Sequence, residues 1–178
     1  TIFSKSTTAN ADDRYVKLCE RYFTEFAEDY GKFGQKDGFT YLYSDKKNTA
    51  TIVAIPMEQK KVAVPGKING KTVTKIELMD VFSCSSNYYF RDEFYGEHED
   101  NPVPKVEYLS IPKTVKVINI YAGIGLTEGY CGELQSYLVH LKKFNVASAN
   151  KWYRSYKGML YTKNGKKLLL VPRKYMAK

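Results

Sequence analysis

The spacing of apolar residues changes along this chain, and each spacing predicts a different kind of element. Over residues 10–30 the apolar positions Tyr15, Cys19, Tyr22, Phe23, Phe26 and Tyr30 recur at three- and four-residue steps. Asp12, Asp13, Arg14, Lys17, Glu20, Arg21, Glu25 and Glu28 take the other face, so the segment reads as an amphipathic helix. Asn10 or Asp12 caps its start, and the two aspartates suit the positive end of the helix dipole. Gly31 is a natural stop.

Beyond Gly34 the period falls to two. Phe39, Tyr41 and Tyr43 alternate, Asp45-Lys46-Lys47-Asn48 makes a polar turn, and Thr51-Ile52-Val53-Ala54-Ile55 returns, which reads as a hairpin. Residues 106–118 fit neither period. A short strand at 109–111 accounts for them, ended by Pro112 because proline cannot donate to a ladder.

That strand-and-proline phrase recurs. Val62-Ala63-Val64-Pro65 has the form of Leu109-Ser110-Ile111-Pro112, and Val73-Thr74-Lys75-Ile76 matches Val115-Lys116-Val117-Ile118. Leu138, Leu141, Phe144 and Val146 make a weaker third copy, and Leu168-Leu169-Leu170-Val171-Pro172 a fourth. The strands start at Val62, Leu109, Phe144 and Leu168, spacings of 47, 35 and 24 residues that imply insertions, the largest being residues 83–105. Gly158-Met159-Leu160-Tyr161 predicts a further strand, and Asn164-Gly165 a tight hairpin turn. A chain that repeats itself is read first as a repeat protein.

Three of these phrases strongly resemble the BspA-type leucine-rich repeats of bacterial surface proteins. They are Val62-Ala63-Val64-Pro65 with residues 68–76, Leu109-Ser110-Ile111-Pro112-Lys113-Thr114-Val115-Lys116-Val117-Ile118, and residues 144–172, of which 153–172 are the most specific. The resemblance covers residues 38–174 in patches. It implies a β-rich leucine-rich-repeat right-handed solenoid with a short parallel sheet and irregular turns, in a short and interrupted array. It also implies export to the cell surface or medium, and adhesion or binding of a protein or glycan rather than catalysis. Residues 1–36 would form a lead-in and an N-terminal amphipathic α-helix serving as the polar-faced cap such arrays need. Residues 37–178 would form the repeat domain.

Composition narrows this only a little. With 43% apolar and 26% charged residues among 178, the chain is an ordinary soluble globular domain rather than a disordered one. Sixteen tyrosines make it unusually aromatic. No apolar run nears the roughly 20 residues of a membrane helix, so membrane insertion is not expected. The chain begins at Thr1 without Met, which fits a product whose export signal has been removed. Cys19, Cys84 and Cys131 are too few for a disulfide framework. They read as buried thiols, with one bridge and one free thiol as the other arrangement.

Charge is more informative. Residues 142–178 carry eleven Lys and Arg and no Asp or Glu, so a total of +9 leaves residues 1–141 at −2. Interleaved with Trp152, Tyr153, Tyr156 and Tyr161, the residues Lys142, Lys143, Lys151, Arg154, Lys157, Lys166 and Lys167 form a candidate surface for a polyanion, nucleic acid or acidic polysaccharide. The competing reading is that these lysines keep a terminal sheet edge from pairing with a neighbour.

The leading binding candidates are Tyr88, Tyr89, Phe90, Phe94 and Tyr95 in the insertion, placed to contact a protein or glycan or else to cover the core. Glu97-His98-Glu99-Asp100 lacks an H-x-x-x-H or C-x-x-C partner and reads as a solvated acidic loop, so no metal is expected. No Ser or Cys lies in a nucleophile motif, and no glycine run cradles a phosphate. The expectation is a monomeric, non-enzymatic interaction module without a cofactor.

Overall fold

The computed structural model describes residues 11–79, 103–121, 138–172 and 175. The amphipathic segment folds as α1 (Ala11–Glu25) and, after Phe26, a one-turn α2 (Ala27–Tyr30). Gly31 ends it with φ at +79°, a conformation that costs little without a Cβ. Tyr15, Leu18, Cys19, Tyr22 and Phe23 are buried with Val53, Ala54 and Met57 in a small core of their own. Burial pushes the Cys19 thiol up to about 12, so it stays protonated and packs as a small hydrophobe. Cys84 and Cys131 lie outside the described residues.

Next come β1 (Phe33–Lys36), β2 (Phe39–Ser44) and β3 (Thr49–Ala54), an antiparallel meander. The chain then feeds two parallel ladders in turn. β3, β6 (Lys71–Met79) and β8 (Val117–Tyr121) form one of them. β4 (Lys61–Ala63), β7 (Tyr108–Ile111) and β9 (Lys143–Val146) form the other. Val62 faces Leu109, Leu109 faces Phe144, and Ile76 faces Ile118, so the repeated phrases lie beside one another in register.

Alternation along these strands then does the sorting. On β7, Leu109 and Ile111 are buried while Tyr108 and Ser110 are half-exposed. The inward residues of both ladders, among them Ile52, Val62, Ile76, Leu109 and Phe144, share one core with Leu160. β5 (Lys67–Ile68) folds back on β6 through Asn69-Gly70. β10 (Tyr153–Tyr156), β11 (Met159–Thr162) and β12 (Leu168–Leu170) form a separate antiparallel sheet.

The structure corrects the expected leucine-rich-repeat right-handed solenoid. The described residues form a mostly β fold with mixed sheets, the largest having six strands with both parallel and antiparallel pairs. Residues 168–172, expected as a fourth stacked copy, show the physical reason. Only five residues separate β11 from β12, whereas a parallel pairing needs a crossover of about a dozen or more. β12 therefore turns back antiparallel, with Gly165 at φ +73° in the turn. Helix α1 lies against the β1–β2 end of the larger sheet, with Phe33 and Leu42 packed on its buried face.

Candidate functional site

The loops that enter the first parallel ladder leave an open groove of about 510 Å³ across its strands. Asn48 and Thr49 at the start of β3, with Thr72 and Thr74 of β6, contribute to its floor. Thr49 and Thr72 are cross-strand partners, and the Thr72 N–H donates to the Asn48 carbonyl at 3.1 Å. Pairing then steps from Ala50–Val73 to Thr51–Lys75, which leaves Thr74 as the extra residue of a β-bulge. Bulges re-aim side chains, and Thr74 lines the groove. Its carbonyl accepts from the Lys116 N–H at 2.8 Å.

Lys113, Thr114 and Lys116, between β7 and β8, supply the next part of the lining. The phrase Lys-Thr-Val occurs at 71–73 and again at 113–115, at the same offset before the paired Lys75 and Val117. Thr114 thus repeats Thr72 along the ladder, and Lys116 repeats Thr74. Ala149, Lys151 and Trp152 extend the lining beyond β9, and Lys47 joins it from the β2–β3 turn.

Trp152 is held from behind by a buried asparagine. Asn150 Nδ2 donates to the carbonyls of Pro112 at 2.9 Å and Val115 at 3.0 Å. Its Oδ1 accepts from the N–H groups of Trp152 and Tyr153, both at 2.8 Å. Next to it, Tyr153 Oη donates to the Lys116 carbonyl at 3.1 Å and accepts from the Ile118 N–H at 3.2 Å. One hydroxyl thereby occupies two backbone groups at the margin of β8 that a further strand would otherwise pair. The Trp152 side of the groove is a fixed mount, yet the residue remains 39% exposed. Lys116 Nζ lies 5.3 Å from the centre of its ring, in cation–π range.

Among the described residues, four lysines line the groove and no carboxylate does. The acids around it are committed elsewhere. Asp45, two residues from Lys47, bonds Lys32 at 2.8 Å and Lys71 at 2.6 Å. These bonds, that from Lys32 foremost, hold its carboxyl down at about 2. Glu77 pairs with Lys75 at 2.8 Å. Among the described residues, Lys47, Lys113 and Lys151 have no carboxylate within ion-pair distance.

Of the seven basic residues singled out from the sequence, only Lys151 enters this groove. Lys142 is bound to Glu107 at 2.7 Å, and its hydrogen bond is the main reason that carboxyl sits below its ordinary value. Lys143 and Lys157 line a second recess of about 400 Å³. Arg154 and Lys157 both approach the Tyr156 ring, at 6.0 and 5.5 Å from its centre. Lys166 and Lys167 stay exposed at the β11–β12 turn. The structure therefore disperses the basic segment. Lys47, Lys113 and Lys116 were not anticipated; the recurrence of Lys-Thr-Val at 71–73 and 113–115 is the signal that could have pointed to two of the contributing segments.

Tyr88, Tyr89, Phe90, Phe94 and Tyr95 lie outside the described residues, as does His98. Among the described residues no group of His, Cys, Asp and Glu is arranged to hold a metal ion. No helix among them is long and apolar enough to cross a membrane. The chain matches no protein-family model, no curated protein and no solved structure.

Proposed function

We propose that this protein is a non-enzymatic interaction module, acting at the cell surface or after secretion, that binds a glycan in the groove beside Trp152. One observation carries the reading: a partly exposed tryptophan, anchored through Asn150, beside a lining of threonine and asparagine side chains. A sugar ring presents an apolar face rimmed by hydroxyls. An indole supplies a broad apolar surface for such a face, while Thr and Asn both donate and accept hydrogen bonds. Rigid mounting keeps the entropic cost of ordering the site low. The likeness of residues 153–172 to repeats of bacterial surface proteins supports a place outside the cell.

An array of neutral and acidic glycans, probed with the wild type and with Trp152→Ala, tests this. The expected result is retention on at least one glycan class, with affinity lowered about tenfold or more by the substitution. The thermal midpoint should stay close to wild type, because Trp152 is not a core residue. Failure to bind any glycan, or binding indifferent to Trp152, overturns the proposal.

A further inference from the structure

Resting on that reading, we infer that the glycan is acidic: a polysaccharide bearing carboxylate or sulfate groups, laid across the strands so that its anions meet Lys47, Lys113, Lys116 and Lys151. These four lysines share one groove whose described lining holds no carboxylate, and like charges so gathered repel one another. An anionic ligand relieves that repulsion. The nearby acids do not serve, because Asp45 is held by Lys32 and Lys71, and Glu77 by Lys75.

The arrangement also has a direction. Lys47 precedes β3 and Lys113 and Lys116 precede β8, while β6 between them contributes Thr72 and Thr74. Lys151 follows β9, so the charge is spread across the strands rather than along any one of them, with the β3 and β8 ends two strand spacings, roughly 9.6 Å, apart. A chain bearing several anions spans lysines so spread better than a single small anion does. Lys116 Nζ, 5.3 Å from the Trp152 ring centre, is close enough to meet an acidic substituent of a sugar stacked there. Nucleic acid fits less well. Among the described residues the lining has no arginine, whose fork suits phosphate bidentately, and it offers one aromatic platform where single-strand binders stack successive bases.

The test uses dextran, dextran sulfate, polygalacturonate oligomers and oligothymidylate as probes. Dextran and dextran sulfate share one backbone and differ in the charged sulfate esters that replace hydroxyls, and polygalacturonate separates carboxylate from sulfate recognition. One or both acidic polysaccharides should bind, and dextran at least about tenfold more weakly. Affinity should fall on the order of 100-fold between about 50 and 200 mM salt, as four released counterions imply. The Lys113→Gln/Lys116→Gln double variant should bind more weakly and with a shallower salt dependence. Lys166→Gln/Lys167→Gln, at a turn outside the groove, should bind as the wild type does.

Dextran binding as tightly as its sulfate, and lost in Trp152→Ala, overturns the acidic ligand and leaves the glycan reading standing. Tighter binding of oligothymidylate, or equal losses in the two lysine pairs, also overturns it. Silence of every probe together with an empty glycan array removes both readings at once.

Discussion

Asn150 Nδ2 donates to the Val115 carbonyl at 3.0 Å, joining two turns 35 residues apart in the sequence. The side chain is fully buried, and its other bonds reach Pro112, Trp152 and Tyr153. Asn150→Ala strands the Val115 carbonyl and two N–H groups in one step, while the Pro112 carbonyl keeps the Val115 N–H at 3.4 Å. Urea unfolding should show a loss on the order of 3 kcal/mol or more, since each buried group left unmade costs roughly 1–3 kcal/mol. The near-UV signal of Trp152 should weaken in the same variant. An unchanged unfolding midpoint would contradict the anchoring role.

Asp45 predicts an acid-dependent contribution. Its folded carboxyl, at about 2, lies below the ordinary value of 3.8, chiefly through the Lys32 bond and then the Lys71 bond. A depressed carboxylate stabilises the fold above the unfolded pKa, and that contribution fades as pH falls through the folded one. The thermal midpoint of Asp45→Asn should therefore trail the wild type at neutral pH, and the gap should close between 3.8 and about 2. A gap that persists at the acid end would assign the effect to something other than ionisation.

Gly34 and Tyr41 predict a coupled pair. A Cβ at position 34 would run into the Tyr41 phenol at its hydroxyl and Cζ. The ring cannot retreat freely, because it is buried and Asn69 Nδ2 donates to its hydroxyl at 2.6 Å. Gly34→Ala should cost about 1–3 kcal/mol, the range for overpacking. Adding Tyr41→Phe removes one of the colliding atoms, so the double variant should lose less than the sum of the singles. Strict additivity in denaturant unfolding would show that the collision is relieved elsewhere.

How much was legible beforehand differs from element to element. The helix announced itself because its face is written at three- and four-residue steps, although Leu18 was missed and Phe26 interrupts it. The 39–55 hairpin and the strands at Val62, Leu109 and Phe144 were legible because alternation and proline act within a few residues. β1 and β10 were not anticipated. Their burial patterns, with no fully buried position, carry little apolar signal, and pairing partners define them.

By itself the sequence determined which residues face inward: Val62, Leu109, Ile76, Ile118 and Phe144 belong to the core or pack against it, because apolar side chains leave water whatever they stack on. Only the tertiary structure decided the architecture and the groove. Leu168–Leu170 is as apolar as its supposed counterparts, yet a five-residue connection compels it to pair antiparallel. Lys47, Lys113, Lys116 and Lys151 meet in one groove because ladder register, and the bulge at Thr74, bring together turns far apart in the chain. Local pattern records what a residue buries, whereas the face shared by exposed residues depends on which strands lie beside one another.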